Sequence, residues 1–297
     1  MEYEAPIQRL KGLTGQRACG SRAAALSLVC ALLRGASGIP AHADQIIVTA
    51  SKDNTLYETA DGSTSNGAGT ATFAGRNSQA SNSIRRALLR FDISGDVPAG
   101  STVTSVQLTM YNDAANAQNE SVSMHRVLVD WGEGTSIATG GQGSGAAASA
   151  GDSTWLHPFF NTQLWNQPGG DFEPSASAST VVGAEAMSVW GSTAAMVADV
   201  QSWLDSPTTN FGWCIVGSET APSTAKRFAT REQPDASRRP TLVVEYVPSA
   251  FPIPTLSEWG TVLLALLLLV AGALEIVKRG KTTLEGRGRT PSIGDQA

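Results

Sequence analysis

Ile84-Arg85-Arg86-Ala87-Leu88-Leu89-Arg90-Phe91-Asp92-Ile93 is the stretch that decides the fold. Ala87, Leu89, Phe91 and Ile93 recur on alternate positions and share one face of an extended chain. Arg86, Leu88, Arg90 and Asp92 share the other, which reads as mostly solvated. Asp96-Val97-Pro98-Ala99-Gly100 then reads as a turn. Val103 to Tyr111 follows with Val106, Leu108 and Met110 alternating. Gln45–Ala50, Val122–Val129, Phe211–Val216, Lys226–Thr230 and Thr241–Val247 add further strands. One helix is expected at Ala194–Leu204. Val197, Val200, Trp203 and Leu204 fall at helical spacing, and Ser206-Pro207 stops it. Many strands, one short helix and glycine turns predict a mainly β fold, an antiparallel β-sandwich.

Between Gly140 and Ser179 runs a long stretch rich in Gly, Ala and Ser that also carries Trp155, His157, Phe159, Phe160, Trp165 and Phe172. Disordered segments are poor in aromatics, so this loop is expected to be ordered over the sandwich.

Asp53-Asn54-Thr55-Leu56-Tyr57-Glu58 resembles the motif that names the DNRLRE family. The Leu88–Ile93 strand, the Pro-Ala-Gly-Ser turn, Arg227-Phe228-Ala229-Thr230-Arg231-Glu232 and Pro240-Thr241-Leu242 are similar to the family's later segments. Thr55 and Tyr57 stand where the motif has arginines. The resemblance implies a jelly-roll-like domain over most of 45–247, of a kind attached to surface proteins and grouped with carbohydrate-binding modules.

The two ends carry addresses. Residues 1–43 read as a signal peptide: Arg9, Lys11, Arg17 and Arg22, then apolar Ala23–Leu33, then Ala41-His42-Ala43 for cleavage. At the other end Gly260–Val277 is a second apolar run. Residues 259–274 lack charge, and as a helix they span about 24 Å against about 30 Å of hydrocarbon. Trp259 sits at an interfacial position, and Lys278, Arg279 and Lys281 follow as a positive stop. A transmembrane helix over 260–277 is expected, with the domain outside and a basic tail, 278–297, inside. Ile253-Pro254-Thr255-Leu256, two residues, then Trp259-Gly260 resembles the IPTL-CTERM sorting signal of Gram-negative bacteria. The resemblance implies cleavage by an exosortase-type membrane transpeptidase and delivery to the cell surface or extracellular matrix. A Pro-containing segment, 249–259, is expected to be extended and open to such a protease.

Charge narrows the partners. The chain has 21 basic and 26 acidic residues, a net −5. Residues 44–248 hold 11 basic and 20 acidic residues, a net −9. That excludes a nucleic-acid binder, which needs a basic surface, and favours cations. Cys19 and Cys30 lie in the leader, so Cys214 alone remains and no disulfide within the domain can form. In its apolar strand Cys214 reads as a buried inert thiol, with an exposed or intermolecular one as the alternative.

The candidate sites each have two readings. Trp155 and Trp165, with Trp131 and Trp190, supply sugar platforms or else cover the core. Arg86 and Arg90 contact an acidic glycan or else lie on a solvated face beside Asp92. Asp53, Asn54, Glu58 and Asp61 are the densest early oxygen cluster and offer a structural calcium site or else a polar turn. Asp130 with Glu133, or Asp171 with Glu173, form a glycosidase pair or else cap turns. His125 and His157 fall in no catalytic motif. No enzyme is expected. The expected function is a non-catalytic polysaccharide-binding surface protein, or alternatively a structural matrix or adhesion protein with no specific sugar.

Overall fold

A computed structural model describes residues 42–113, 116–249 and 256–285. The expected signal peptide lies almost wholly outside these residues, as do Ile253, Pro254, Thr255 and the end of the basic tail.

Twelve strands precede the C-terminal helix in the described chain. They are β1 Asp44–Tyr57, β2 Thr64–Ser65, β3 Ala71–Arg76, β4 Ile84–Phe91, β5 Thr102–Asp113, β6 Glu120–Arg126, β7 Ala146–Ala147, β8 Ala178–Val182, β9 Ala186–Trp190, β10 Trp213–Val216, β11 Lys226–Ala229 and β12 Thr241–Val247. Helix α1, Ala194–Asp205, lies between β9 and β10, and α2, Leu256–Glu285, closes the described chain. The strands pair antiparallel throughout, in a β-sandwich.

The two sheets share strands. The first part of β1, Asp44–Thr49, pairs with β12, and the part from Ala50 to Tyr57 pairs with β4. A register shift between Ala50 and Lys52 marks the crossing, and such a bulge bends and twists a strand. β3 divides likewise: Ala71–Ala74 pairs with β11, and Gly75 and Arg76 pair with β4. Gly75 stands at that crossing with φ +117°, and a Cβ there would lie 2.9 Å from the Thr224 carbonyl oxygen, so only glycine fits. The pairings β1–β12–β5–β11–β3–β4–β1 therefore close a ring. Beyond β4 the second sheet runs on through β10 and β6 to β8, and β9 lies beside β5.

The main core fills the space between the sheets. Leu89 and Phe91 of β4 meet Val106, Leu108 and Met110 of β5, Val122 of β6, Trp213 of β10 and Val244 of β12 there. Helix α1 adds Met196, Val200, Trp203 and Leu204. The Thr193 hydroxyl caps its start by accepting from the Met196 N–H at 3.1 Å. Trp203 and Trp213 meet edge to face at 4.5 Å. Asp199, buried on the helix, accepts from Ser177 Oγ at 2.6 Å and Trp213 Nε1 at 2.9 Å. Each large side chain buried in this way stabilises the fold by about 1.5–3 kcal/mol.

The second face of β4 departs from expectation. Leu88 is fully buried and Arg86 is half-buried, so that face is not solvated. The chain from Val127 to Ser177 lies over it. Trp131, Trp155 and Trp165 pack with Leu56, Leu88, Val127 and Cys214 into a second core cluster. Backbone bonds order this roof: Glu173 N–H to Arg126 O at 2.8 Å and Trp165 N–H to Leu156 O at 3.0 Å are two of them. β7, within the same segment, pairs with β2.

Candidate functional site

The expected sugar platforms are interior. Trp155 is 8% and Trp165 5% exposed. The Trp165 indole N–H donates to Thr154 O at 2.9 Å, and that of Trp131 to Phe211 O at 2.8 Å. Trp190 belongs to the main core and donates to Val122 O at 3.0 Å. The reason is the apolar outer face of β4 and β10, which needs a cover, and indoles supply the largest one. Arg86 lies over the Trp155 ring at 5.0 Å and the Phe172 ring at 5.2 Å, and is bound by Glu219. Arg90 is half-buried, with its Nε enclosed and unpaired among the described residues. The two arginines do not form a shared anion surface: Arg86 is neutralised, and Arg90 stands opposite Lys52 on β1.

The early oxygen cluster divides. The Asp53–Tyr57 segment is strand, not turn, so Asp53 and Asn54 point to opposite sides of β1. Asn54 is buried: its amide donates to Ser65 Oγ at 2.9 Å, Glu133 O at 2.9 Å and Ser153 Oγ at 3.1 Å. Its oxygen accepts from the N–H groups of Thr55 at 2.7 Å and Asn66 at 3.1 Å. Glu58, past the strand's end, accepts from the N–H groups of Ser83 at 2.6 Å and Ile84 at 2.8 Å. Asp61 is exposed and accepts from Ser63, whose hydrogen bonds hold its carboxyl below the usual range. These four residues do not converge on one point.

Asp53 instead meets two residues from far along the chain. Asp53, Glu133 and Glu232 each bring a carboxylate oxygen within 4.8 Å of the others. β1 carries Asp53, the roof segment carries Glu133, and the turn after β11 carries Glu232. Glu133 Oε1 accepts from the Asp53 N–H at 2.9 Å and from Arg231 Nε at 2.7 Å, and Oε2 accepts from the Arg231 guanidinium at 2.9 Å. Arg231 Nε also lies 3.0 Å from Glu232 Oε1. The Arg231 N–H donates to Asp53 Oδ2 at 2.8 Å. Asp53 Oδ1 and Glu232 Oε2 are enclosed with no hydrogen-bond partner among the described residues. Burial first, then the neighbouring Glu232, pushes the Asp53 carboxyl well above the usual range; burial also raises Glu232. In the sequence Glu133 has only Asp130 nearby, and Glu232 stands only in the segment similar to the DNRLRE family. Asp130 is exposed and lies 3.6 Å from Lys52 Nζ.

Of the second expected carboxylate pair, Asp171 holds a turn and Glu173 is exposed. Asp171 accepts from the N–H groups of Asn166 at 2.9 Å and Gln167 at 3.0 Å. His125 Nδ1 lies 2.9 Å from Glu173 O and its Nε2 2.9 Å from Ser123 Oγ. His157 Nδ1 lies 3.2 Å from Thr154 Oγ1.

An open cleft of about 460 Å³ lies at the β3–β4 turn, lined by Glu58, Gln79, Ser81, Asn82, Arg85 and Ser144 among others. Arg85 stacks over the Tyr57 ring at 4.9 Å and donates to the carbonyls of Asn82 at 2.9 Å and Gly143 at 3.2 Å. The lining combines amides, hydroxyls, the Glu58 carboxylate and the Arg85 guanidinium, so it is polar throughout. Gln79 and Ser81 belong to a polar turn with no pattern that marks a site, and Ser144 joins them only through the fold.

Helix α2 is longer than the apolar run that announced it. Its 20 residues Trp259–Lys278 have a mean hydropathy of 2.5, and none of this window is buried against the described chain. At 1.5 Å per residue they reach about 30 Å, enough to cross a membrane. Leu256, Trp259 and Gly260 lie inside the helix, so the expected extended segment ends before Leu256.

Comparison with protein-family models finds no match for this chain, and comparison with curated proteins finds none.

Proposed function

We propose that the chain is an exported surface protein, anchored by α2 and cut by an exosortase-type transpeptidase near Ile253–Gly260, whose sandwich binds polysaccharide without cleaving it. The observation that carries this reading is α2: a membrane-length apolar helix, uncovered, that follows a β domain with its own core. The Ile-Pro-Thr-Leu…Trp-Gly order that leads into its first turns supports sorting. The polar cleft beside Arg85 supports the ligand class, because pyranose hydroxyls are matched by amide and hydroxyl groups.

The mature protein's mass in cells tests the sorting: loss of α2 is expected, and the double replacement Pro254→Ala, Thr255→Ala should retain it. Full-length wild type at steady state would overturn the claim. For the ligand, Trp155→Ala and Trp165→Ala would empty the core, so the cleft is the place to test. Gln79→Ala with Ser81→Ala should weaken binding to an acidic or neutral polysaccharide at least tenfold with the unfolding temperature unchanged. Equal binding by wild type and variant would remove the cleft from the reading.

The alternative is a structural matrix protein. Val181 on β8 is 66% exposed, and Met187 and Val189 on β9 are 47% and 40% exposed, which favours self-association over ligand binding. Concentration-dependent oligomers without any sugar would support it.

A further inference from the structure

We propose that Asp53, Glu133 and Glu232 hold a calcium ion that ties three distant chain segments together. The first ground is charge. Three carboxylates face a single guanidinium, Arg231, so the ionised cluster carries two uncompensated negative charges and a divalent cation balances it.

The second ground is the state of individual atoms. The Asp53 side chain is fully buried, yet its Oδ1 has no hydrogen-bond partner among the described residues, and Glu232 Oε2 is enclosed in the same condition. A buried carboxylate oxygen without a donor is costly unless an ion or proton occupies it. Glu133 Oε2 accepts one hydrogen bond and keeps a lone pair. Arg231 thus satisfies part of the cluster and leaves acceptor capacity on all three carboxylates.

The third ground is size. Oxygens bound to one calcium at about 2.3–2.6 Å lie at most about 5 Å apart, and the three oxygens here are within 4.8 Å of one another. The backbone need not move. Glu133 and Glu232 are 17% and 21% exposed, so water can reach the ion and fill its remaining positions. The ligands stand 80 and 99 residues apart along the chain, on β1, on the roof and after β11. An ion shared by them would fasten the roof to the sandwich.

The test uses the full chain in detergent, stripped with chelator and titrated with calcium by calorimetry and thermal unfolding. One calcium per chain is expected. At a hundredfold excess over Kd the unfolding temperature should rise by roughly 5–10 °C. Asp53→Asn and Glu232→Gln should each weaken binding at least tenfold, whereas Asp61→Asn and Asp130→Asn, on exposed carboxylates, should match wild type. No heat and no shift for wild type at millimolar calcium would overturn the proposal, and that result stands even if a variant fails to fold. Equal calcium response in wild type and in both cluster variants would also overturn it. So would a wild type blind to calcium whose Asp53→Asn variant is more stable, because a proton would then be the occupant. Each outcome is independent of polysaccharide binding.

Discussion

Arg86 grips Glu219 through two parallel bonds, Nε to Oε1 at 2.8 Å and the guanidinium to Oε2 at 2.9 Å. The same guanidinium donates to Gly169 O at 3.0 Å and lies over Trp155. One side chain on β4 therefore holds both the roof and the segment after β10.

Arg86→Met should loosen that roof. The variant leaves Glu219 and Gly169 O without their donor and is expected to lose on the order of 3 kcal/mol. Denaturant unfolding followed by tryptophan fluorescence measures it. A midpoint equal to wild type would show that the clamp is idle.

Asn54→Asp keeps shape and reverses a donor. The new oxygen would face Glu133 O and Ser153 O, both acceptors, in place of the amide that now binds them. A loss of roughly 3 kcal/mol at neutral pH is expected. Unchanged thermal stability would mean that the network around β1 rearranges freely.

Lys226→Met should be costly for a residue of similar length. Lys226 is fully buried, and its ammonium donates to the carbonyls of Asn116 at 2.7 Å, Gly183 at 2.9 Å and Gln118. Removing the donor leaves three carbonyls to find another, at about 2–4 kcal/mol. Hydrogen exchange near Gly183 should quicken. If it does not, the ammonium is not what pins that turn.

Cys214 should be silent. Burial pushes its thiol up to about 12, so at pH 8 only about one molecule in ten thousand carries a thiolate. With Cys19 and Cys30 replaced by serine, the folded chain should resist iodoacetamide and label fully once unfolded. Between about 8.5 and about 12 the unfolded thiol gives up its proton and the folded one keeps it. Stability should therefore fall as pH rises through that window, and Cys214→Ser should fall less. Rapid labelling of the folded chain would contradict the burial.

The parts of the fold that were legible in the sequence had one apolar face and a clear stop. β4, β5 and β12 alternate, and α1 was expected at Ala194–Leu204 and runs Ala194–Asp205. β1 beyond Ala50 was missed because Ser51-Lys52-Asp53-Asn54 is polar, and a polar run reads as a turn. Its groups are buried against partners that no local pattern displays. β3 is Ala-Thr-Phe-Ala-Gly-Arg, buried from Ala71 to Gly75 on both faces, so it lacks alternation, and β8 and β9 lie in or beside the long Gly/Ala/Ser-rich stretch that reads as loop. The face bearing Arg86 and Leu88 looked wet because alternation presumes that one side meets water, and here the roof covers it. The candidate cation site was half legible. Asp53 stood in the quoted cluster, but Glu133 and Glu232 reach it only through the pairing of strands far apart in the chain.

The position of β12 bears on force. It is the last strand before the apolar helix α2, and it lies between β1 and β5 with antiparallel ladders on both sides. Their bonds stand perpendicular to the strand. A pull applied from α2 along β12 would load both ladders in shear, so that many bonds resist together and none is peeled singly. A load entering the domain through this strand would therefore meet its strongest geometry.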